Sequence, residues 1–282
     1  MKKSLVLIFV FISSAISNDN NYSIFTQYTY KNFENSKQKG DGKAYLLGLN
    51  AKQDKNTYKL IFNNMKVNTF QPPLKDDLDV KKYSANFKRQ ISNNLNLGFS
   101  ALYIDDNIAS TDNGKIYGAL ATYKLPKKIS LNLASYYSDY ETFSSKQVDF
   151  KISKVLKVDD IKFKLYTGAK YINLDDKNTT KYTKNAKDSY LSPFIGFNSM
   201  YKGYVFKAKK FFSKRAFSVM NEGLGVQHHA MEFKEAYSFV LGKQFKNVGV
   251  FARYSYEEAK ELPILNDGVK HTTASILLKY RF

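Results

Sequence analysis

The side chains with chemical potential in this 282-residue sequence are mostly cationic: 44 Lys and Arg stand against 25 Asp and Glu, a formal charge of +19. Many of the cations recur on alternate positions. Lys52, Lys59, Lys82, Lys88, Lys124, Lys151, Lys162, Lys164, Lys170, Lys207, Lys209, Lys234, Arg253, Lys279 and Arg281 share one parity with few acids, among them Asp149, Glu232 and Glu257. Cations arrayed on one face concentrate anions, so the chemistry they offer is electrostatic selection rather than bond making. His228, His229 and His271 are the side chains most apt to titrate near neutral pH. They are candidates for a pH-responsive switch, and solvent-exposed loop histidines are the plainer reading.

Covalent chemistry is poorly served. The chain has no Cys, which excludes a thiolate nucleophile, a thiolate metal site and a disulfide framework. Ser275 and His271 lie about two rungs apart on one strand face, too far for a direct hydrogen bond, so no nucleophile and base are paired. Asp76, Asp77, Asp79, Asp175 and Asp176 lack the regular ligand spacing of a dedicated Ca²⁺ site. Neither a Gly-rich phosphate loop nor zinc-ligand spacing occurs, and no cofactor is expected.

What must position these groups is a chain with a period of two. Tyr280, Leu278, Ile276, Ala274 and Thr272 fall on one face and Lys279, Leu277, Ser275 and Thr273 on the other, the mark of a strand. The same alternation runs through Tyr45 to Ala51, Leu95 to Tyr103, Ile129 to Tyr137, Ile161 to Tyr171, Met231 to Leu241 and Val248 to Tyr256. No window keeps a helical period for more than two turns. Strands are expected at 22–34, 43–53, 57–67, 81–91, 94–104, 116–125, 129–140, 146–156, 161–173, 189–200, 204–214, 230–243, 247–258 and 270–282, fourteen in all. Short connections alternate with longer ones, including 141–145 among the longer, which places turns at one end of an up-and-down sheet and loops at the other.

The first residues read differently. Met1-Lys2-Lys3, the eight-residue apolar run Leu5 to Ile12, and Ala15-Ile16-Ser17 have the order of a secretory signal cut after Ser17. The apolar run is far short of the ~20 residues a spanning helix needs. The expected organisation is a signal over 1–17 and a single barrel domain over 18–282. Export also argues against a nucleic-acid partner for the surplus charge.

An open, twisted sheet of this many strands would leave two exposed edges, which closure removes. Beyond about eight strands a closed barrel is too wide for side chains to fill, so the polar face is expected to line a wet lumen and the apolar face to meet lipid. Strands of about 9–11 tilted residues cross a bilayer, and closure satisfies every backbone group without water. The 22 Tyr and 22 Phe fit this arrangement. Tyr58, Tyr83, Tyr103, Tyr117, Tyr123, Tyr137, Tyr171, Tyr204, Tyr254, Tyr256, Tyr280 and Phe282 gather on the outward face near strand ends, as interfacial girdles do. The fold class is therefore all-β, a closed antiparallel transmembrane barrel with short periplasmic turns and longer extracellular loops.

The last strand, His271-Thr-Thr-Ala-Ser-Ile-Leu-Leu-Lys-Tyr-Arg-Phe282, resembles the C-terminal signature of Gram-negative outer-membrane β-barrel proteins, and the strand pattern extends that resemblance along the chain. In size and strand number the whole is similar to small monomeric porins of the outer-membrane protein G type, which have no plug. The resemblance implies an outer-membrane location, contact with lipid and lipopolysaccharide, delivery by periplasmic chaperones, and recognition of Tyr280 and Phe282 by the barrel-assembly machinery. It leaves monomer and homotrimer both open. The porins resembled are known for pH-dependent loop gating through a His pair, although that pair sits differently from His228, His229 and His271.

The expected function is a passive channel for small hydrophilic solutes with a weak anion preference, not an enzyme; a non-transporting barrel acting as adhesin, structural element or phospholipase-like enzyme is the alternative. The pore-lining candidates are Lys59, Lys82, Lys88, Lys151, Lys162, Lys164, Lys170, Lys207, Lys209, Lys234, Arg253 and Lys279. Loop 215–229 is, with 174–188, one of the two longest and carries Phe217, Val219, Met220, Leu224 and Val226. Two fates are open to it: folding inward to narrow the pore, because apolar side chains gain by leaving water, or packing against lipopolysaccharide and neighbouring loops.

Overall fold

The computed structural model describes residues 21–71, 74–180 and 182–282, and the secretory segment expected over 1–17 lies outside them. The alternating segments form β1 (Asn21–Glu34), β2 (Lys39–Gln53), β3 (Asn56–Thr69), β4 (Leu78–Gln90), β5 (Leu95–Asp106), β6 (Lys115–Leu125), β7 (Ile129–Tyr140) and β8 (Phe143–Val158). They continue as β9 (Ile161–Asp175), β10 (Ser189–Tyr201), β11 (Tyr204–Phe211), β14 (Met231–Gln244), β15 (Val248–Glu261) and β16 (Asn266–Arg281). Each pairs antiparallel with its neighbours, and β16 returns to β1, so these fourteen strands close one barrel. Two further short strands, β12 (Val219–Met220) and β13 (Gly225–Val226), make a separate hairpin within the β11 to β14 connection. At the seam the Phe282 N–H donates to the Tyr22 carbonyl at 3.0 Å.

One end of the barrel is all tight turns. Gln53 pairs with Asn56, Val158 with Ile161 and Tyr201 with Tyr204, each across two residues. Asp54, Asp159, Lys202 and Gly203 in these turns have φ of 46°, 50°, 45° and 84°, the positive values that match a two-residue turn to the strand twist. The other end carries the longer connections, with one exception. Tyr140 pairs with Phe143, so the loop expected over 141–145 shrinks to a two-residue turn.

Outward side chains on the middle of the wall are apolar and exposed, such as Leu60 and Phe62 on β3, Leu97 and Phe99 on β5, and Ile276 and Leu278 on β16. Tyrosines border this band on both sides. Tyr28 and Tyr45 meet at a tilt with ring centres 5.2 Å apart and Tyr83 and Tyr103 stack at 6.4 Å on the loop side, and Tyr280 meets Phe282 at 5.0 Å on the turn side.

Beyond the loop-side tyrosines the two faces exchange character. On β3 the outward residues become Asn64, Lys66 and Asn68 while Met65 and Val67 turn inward. On β4 and β5, Asp79, Lys81 and Asp105 face out, and Val80, Leu102 and Ile104 face in. Val67, Val80 and Ile104 are wholly buried. Each such side chain contributes about 1.5–3 kcal/mol relative to exposure. The loop-end third of the bore is therefore a packed apolar core, where the sequence pattern alone predicts a wet lumen throughout.

β14 departs from its expected phase. A bulge between Phe233 and Ala236 inserts one residue and reverses every side chain beyond it. Met231 and Phe233 are buried inside, whereas Phe239 and Leu241 on the same strand are exposed to lipid.

Candidate functional site

Between β11 and β14 the chain leaves the wall and enters the bore. Arg215 and Phe233 exchange two backbone hydrogen bonds of 2.8 and 2.9 Å, holding the entry against β14. The buried Arg215 guanidinium donates to Glu257 at 2.6 Å and to the Lys234 carbonyl at 3.1 Å, and lies over the Phe211 ring at 4.3 Å. A guanidinium this deep is tolerated because Glu257 neutralises it. Phe217 has no exposed surface and sits edge-on to Phe143, with ring centres 4.7 Å apart. The Val219 N–H donates to the Gln147 side chain at 2.8 Å, and its carbonyl accepts from Gln147 at 2.9 Å and Lys170 at 2.8 Å.

The β12–β13 hairpin turns through Asn221, Glu222 and Gly223, with φ of 52°, 61° and 88°. Glycine is needed at 223, because a Cβ there would strike the Ser100 hydroxyl. The left-handed backbone at Glu222 costs about 1–2 kcal/mol, offset by what the tip meets. Ser84 donates to the Leu224 carbonyl at 3.3 Å, Asn86 donates to the Glu222 carbonyl at 3.1 Å, and the Lys88 ammonium donates to the Glu222 carboxylate. The tip touches β4, β5 and β6. Since β5 lies six places from β11 and seven from β14 around the wall, the hairpin spans the barrel's diameter.

All three histidines belong to this plug rather than to water, being 2%, 3% and 5% exposed for His228, His229 and His271. Folding the loop inward brings together residues that strand spacing alone keeps apart. The His228 and His229 rings are 4.3 Å apart and those of His229 and His271 are 6.2 Å apart. His228 Nδ1 lies 3.0 Å from the Lys82 ammonium, and His271 Nδ1 lies 3.0 Å from Glu257. Burial first, then the charges of Lys82 and Lys31, hold His228 well below the ordinary imidazole range. Burial and then His228, Lys31, Lys39 and His271 do the same to His229.

Between the hairpin and the turn end lies a chamber of about 800 Å³, lined by Lys59, Lys88, Lys151, Lys164, Lys170, Lys207, Lys209 and Arg253 together with Asp149 and Glu222. Asp149 is taken by Lys170 at 2.5 Å, and Glu222 by Lys88. Among the described residues no carboxylate comes within 4 Å of Lys59, Lys151, Lys164, Lys207, Lys209 or Arg253. Lys209 instead rests over the Phe194 and Phe211 rings, at 4.3 and 4.2 Å. Asparagines alternate with the cations across the rungs. Asn50 is opposite Lys59, Lys59 opposite Asn86, Asn132 opposite Lys151, and Asn198 opposite both Lys164 and Lys207.

The remaining predicted cations lie elsewhere. Lys82 faces inward but is half-buried and engaged with His228. Lys162 and Lys279 face inward nearer the turn end, outside the chamber lining. Lys234 corrects the sequence reading. It lies in the β14 bulge and bonds Glu258 at 2.7 Å and Asp267 at 2.8 Å, away from the bore, because the extra residue breaks the parity that placed it inside. No group of three or more His, Asp or Glu stands ready to hold a metal among the described residues. Two features escaped the sequence reading. The asparagine belt is legible by the same alternation as the lysines, and Asn221-Glu222-Gly223 has the composition of a tight turn, but nothing in the order of residues says what that turn touches.

No protein-family model matches the chain, and no curated protein is similar to it in sequence. Among solved structures it is similar to a bacterial polysaccharide outer membrane secretin, with 7% identity, a TM-score of 0.57, and 93% of this chain and 98% of that one covered. It is also similar to Acinetobacter baumannii Omp33, with 11% identity, a TM-score of 0.49, and 93% and 99% covered. A third likeness is to Pseudomonas aeruginosa OccK8, with 14% identity, a TM-score of 0.46, and 94% and 98% covered. At these identities the agreement is one of fold. The protein is a closed fourteen-stranded antiparallel β-barrel, a fold it shares with that outer membrane secretin.

Proposed function

We propose that the barrel is a diffusion channel for small hydrophilic solutes, that its lumen favours anions, and that the inserted hairpin is its closed gate. The observation that carries this reading is the set of six chamber cations with no carboxylate partner. Fixed positive charge against a low-dielectric wall raises the local concentration of anions. Reversal potentials across planar bilayers in a KCl gradient test it, and a cation-selective current refutes it. Changing Lys151, Lys164 and Lys207 together to Gln should move the reversal potential toward zero.

The packed loop end favours a second reading, a barrel that does not transport and serves as adhesin, structural element or enzyme scaffold. Liposome swelling separates the two, since uptake of sugars with a size cutoff requires an open path. For assembly, Tyr280 and Phe282 lie side by side on the outer face of the closing strand, and we assign them as the signal read by the assembly machinery. Deleting Phe282 should slow insertion without altering conductance.

A further inference from the structure

Glu222 is a carboxylate delivered on a hairpin to a wall of cations and amides, which is the position an anionic solute would take. It is bound by Lys88, and it stands in the lining of the chamber in which six other cations have no carboxylate partner. Although burial opposes ionisation, Lys88, Lys151 and Lys59 together hold its carboxyl below the ordinary carboxylate range. The chamber's volume of about 800 Å³ falls within the roughly 300–1,000 Å³ of small-molecule sites. Its polar lining has two chemistries in alternation. Lysine and arginine recognise an acid group, and the amides of Asn50, Asn86, Asn96, Asn132 and Asn198 both donate and accept, as a ring of hydroxyls requires.

We propose that this chamber binds an acidic monosaccharide, and that the sugar's carboxylate displaces Glu222 from Lys88 and so releases the hairpin. The solute is thereby its own key. A neutral sugar satisfies the amides but leaves the latch closed, and a small inorganic anion reaches the cations without gaining from the amides. Once an acid occupies the site, Glu222 faces a like charge and the tip loses its strongest tether. The inference rests on the channel reading for its physiological meaning, but displacement of the hairpin is a separate physical event.

The test uses the full chain folded into bilayers, with D-glucuronate as probe and D-glucose and chloride at matched ionic strength as references. The expected result is a saturable rise of at least fivefold in open probability with glucuronate and none with glucose or added chloride. Glu222→Gln should open the channel without ligand and abolish the response, and Lys164→Gln should raise the half-saturating concentration several-fold. Because the chain has no Cys, Leu224→Cys is a unique label site at the tip. Glucuronate should speed its reaction with an impermeant maleimide even where current is not measured. Labelling and open probability that ignore glucuronate, or respond equally to chloride, overturn the proposal. An anion-selective current with such a result leaves the channel reading standing. Faster labelling by glucuronate with no current in any folded variant overturns the channel reading and upholds the site.

Discussion

Phe217 is the principal apolar anchor of the hairpin, and its replacement measures how firmly the bore is closed. The ring has no exposed surface and packs against Phe143 at 4.7 Å and Tyr140 at 6.3 Å between centres. Removing a buried Phe side chain costs about 3–5 kcal/mol, and edge-on aromatic contacts of this kind are worth about 0.5–1.5 kcal/mol of that beyond area burial. If the hairpin leaves the bore when the channel opens, Phe217 is in water in the open state and the whole cost falls on the closed one. Phe217→Ala should then raise the open-to-closed ratio by at least about a hundredfold, since each 1.4 kcal/mol is a factor of ten. Single-channel recording reads the ratio directly, and heat-modified electrophoretic mobility confirms that the barrel is folded. Leu241→Ala, on the lipid face of the neighbouring wall, is the control and should leave the ratio unchanged. An unaltered open probability in folded Phe217→Ala would refute the view that hairpin withdrawal opens the pore.

Acidification should weaken the plug. The inserted His228 and His229 have their pKa values lowered below the ordinary imidazole value, so the closed state binds fewer protons than a loop in water, and its stability is full above about pH 6.5 and falls below it. Open probability should rise between pH 7.5 and 5, and a flat profile removes the histidines from gating. Replacing Arg215 by Met leaves the half-buried Glu257 with the Gln227 amide and His271 but without its guanidinium and should destabilise the closed state by about 3–5 kcal/mol, with Arg215→Met and Glu257→Gln together costing less than the sum, as denaturant titration followed by tyrosine fluorescence would record. Leu60→Arg, on the lipid-facing middle of β3, should cost about 2–4 kcal/mol of barrel stability, and a neutral result would place that band outside the membrane.

The alternation of side chains by itself determined most of the architecture. A period of two held over fourteen segments fixes which residues face which side, and the mere number of strands forces closure and a membrane setting, because an open sheet or a soluble barrel of that width has no way to cover its apolar face. The chamber cations at Lys59, Lys151, Lys164, Lys207 and Arg253 were legible for the same reason, since parity is a local property. Lys234 shows where that logic stops. A bulge is a one-residue change in pairing that shifts phase without changing composition, so only the partner strand reveals it.

The tertiary structure decided everything that depends on the loop. Phe217, Val219 and Val226 announce that the segment gains by leaving water, but the hydrophobic effect is non-directional and does not say whether the burial site is the bore, a neighbouring loop or lipid. That choice was made by the apolar collar of Met65, Val67, Val80 and Ile104 waiting inside the wall, and by Glu257, Gln147 and Lys88 at three distant strands, each supplying a partner to Arg215, Val219 and Glu222. These contacts join residues more than forty positions apart, and their existence depends on the curvature that brings opposite strands to face each other across one diameter.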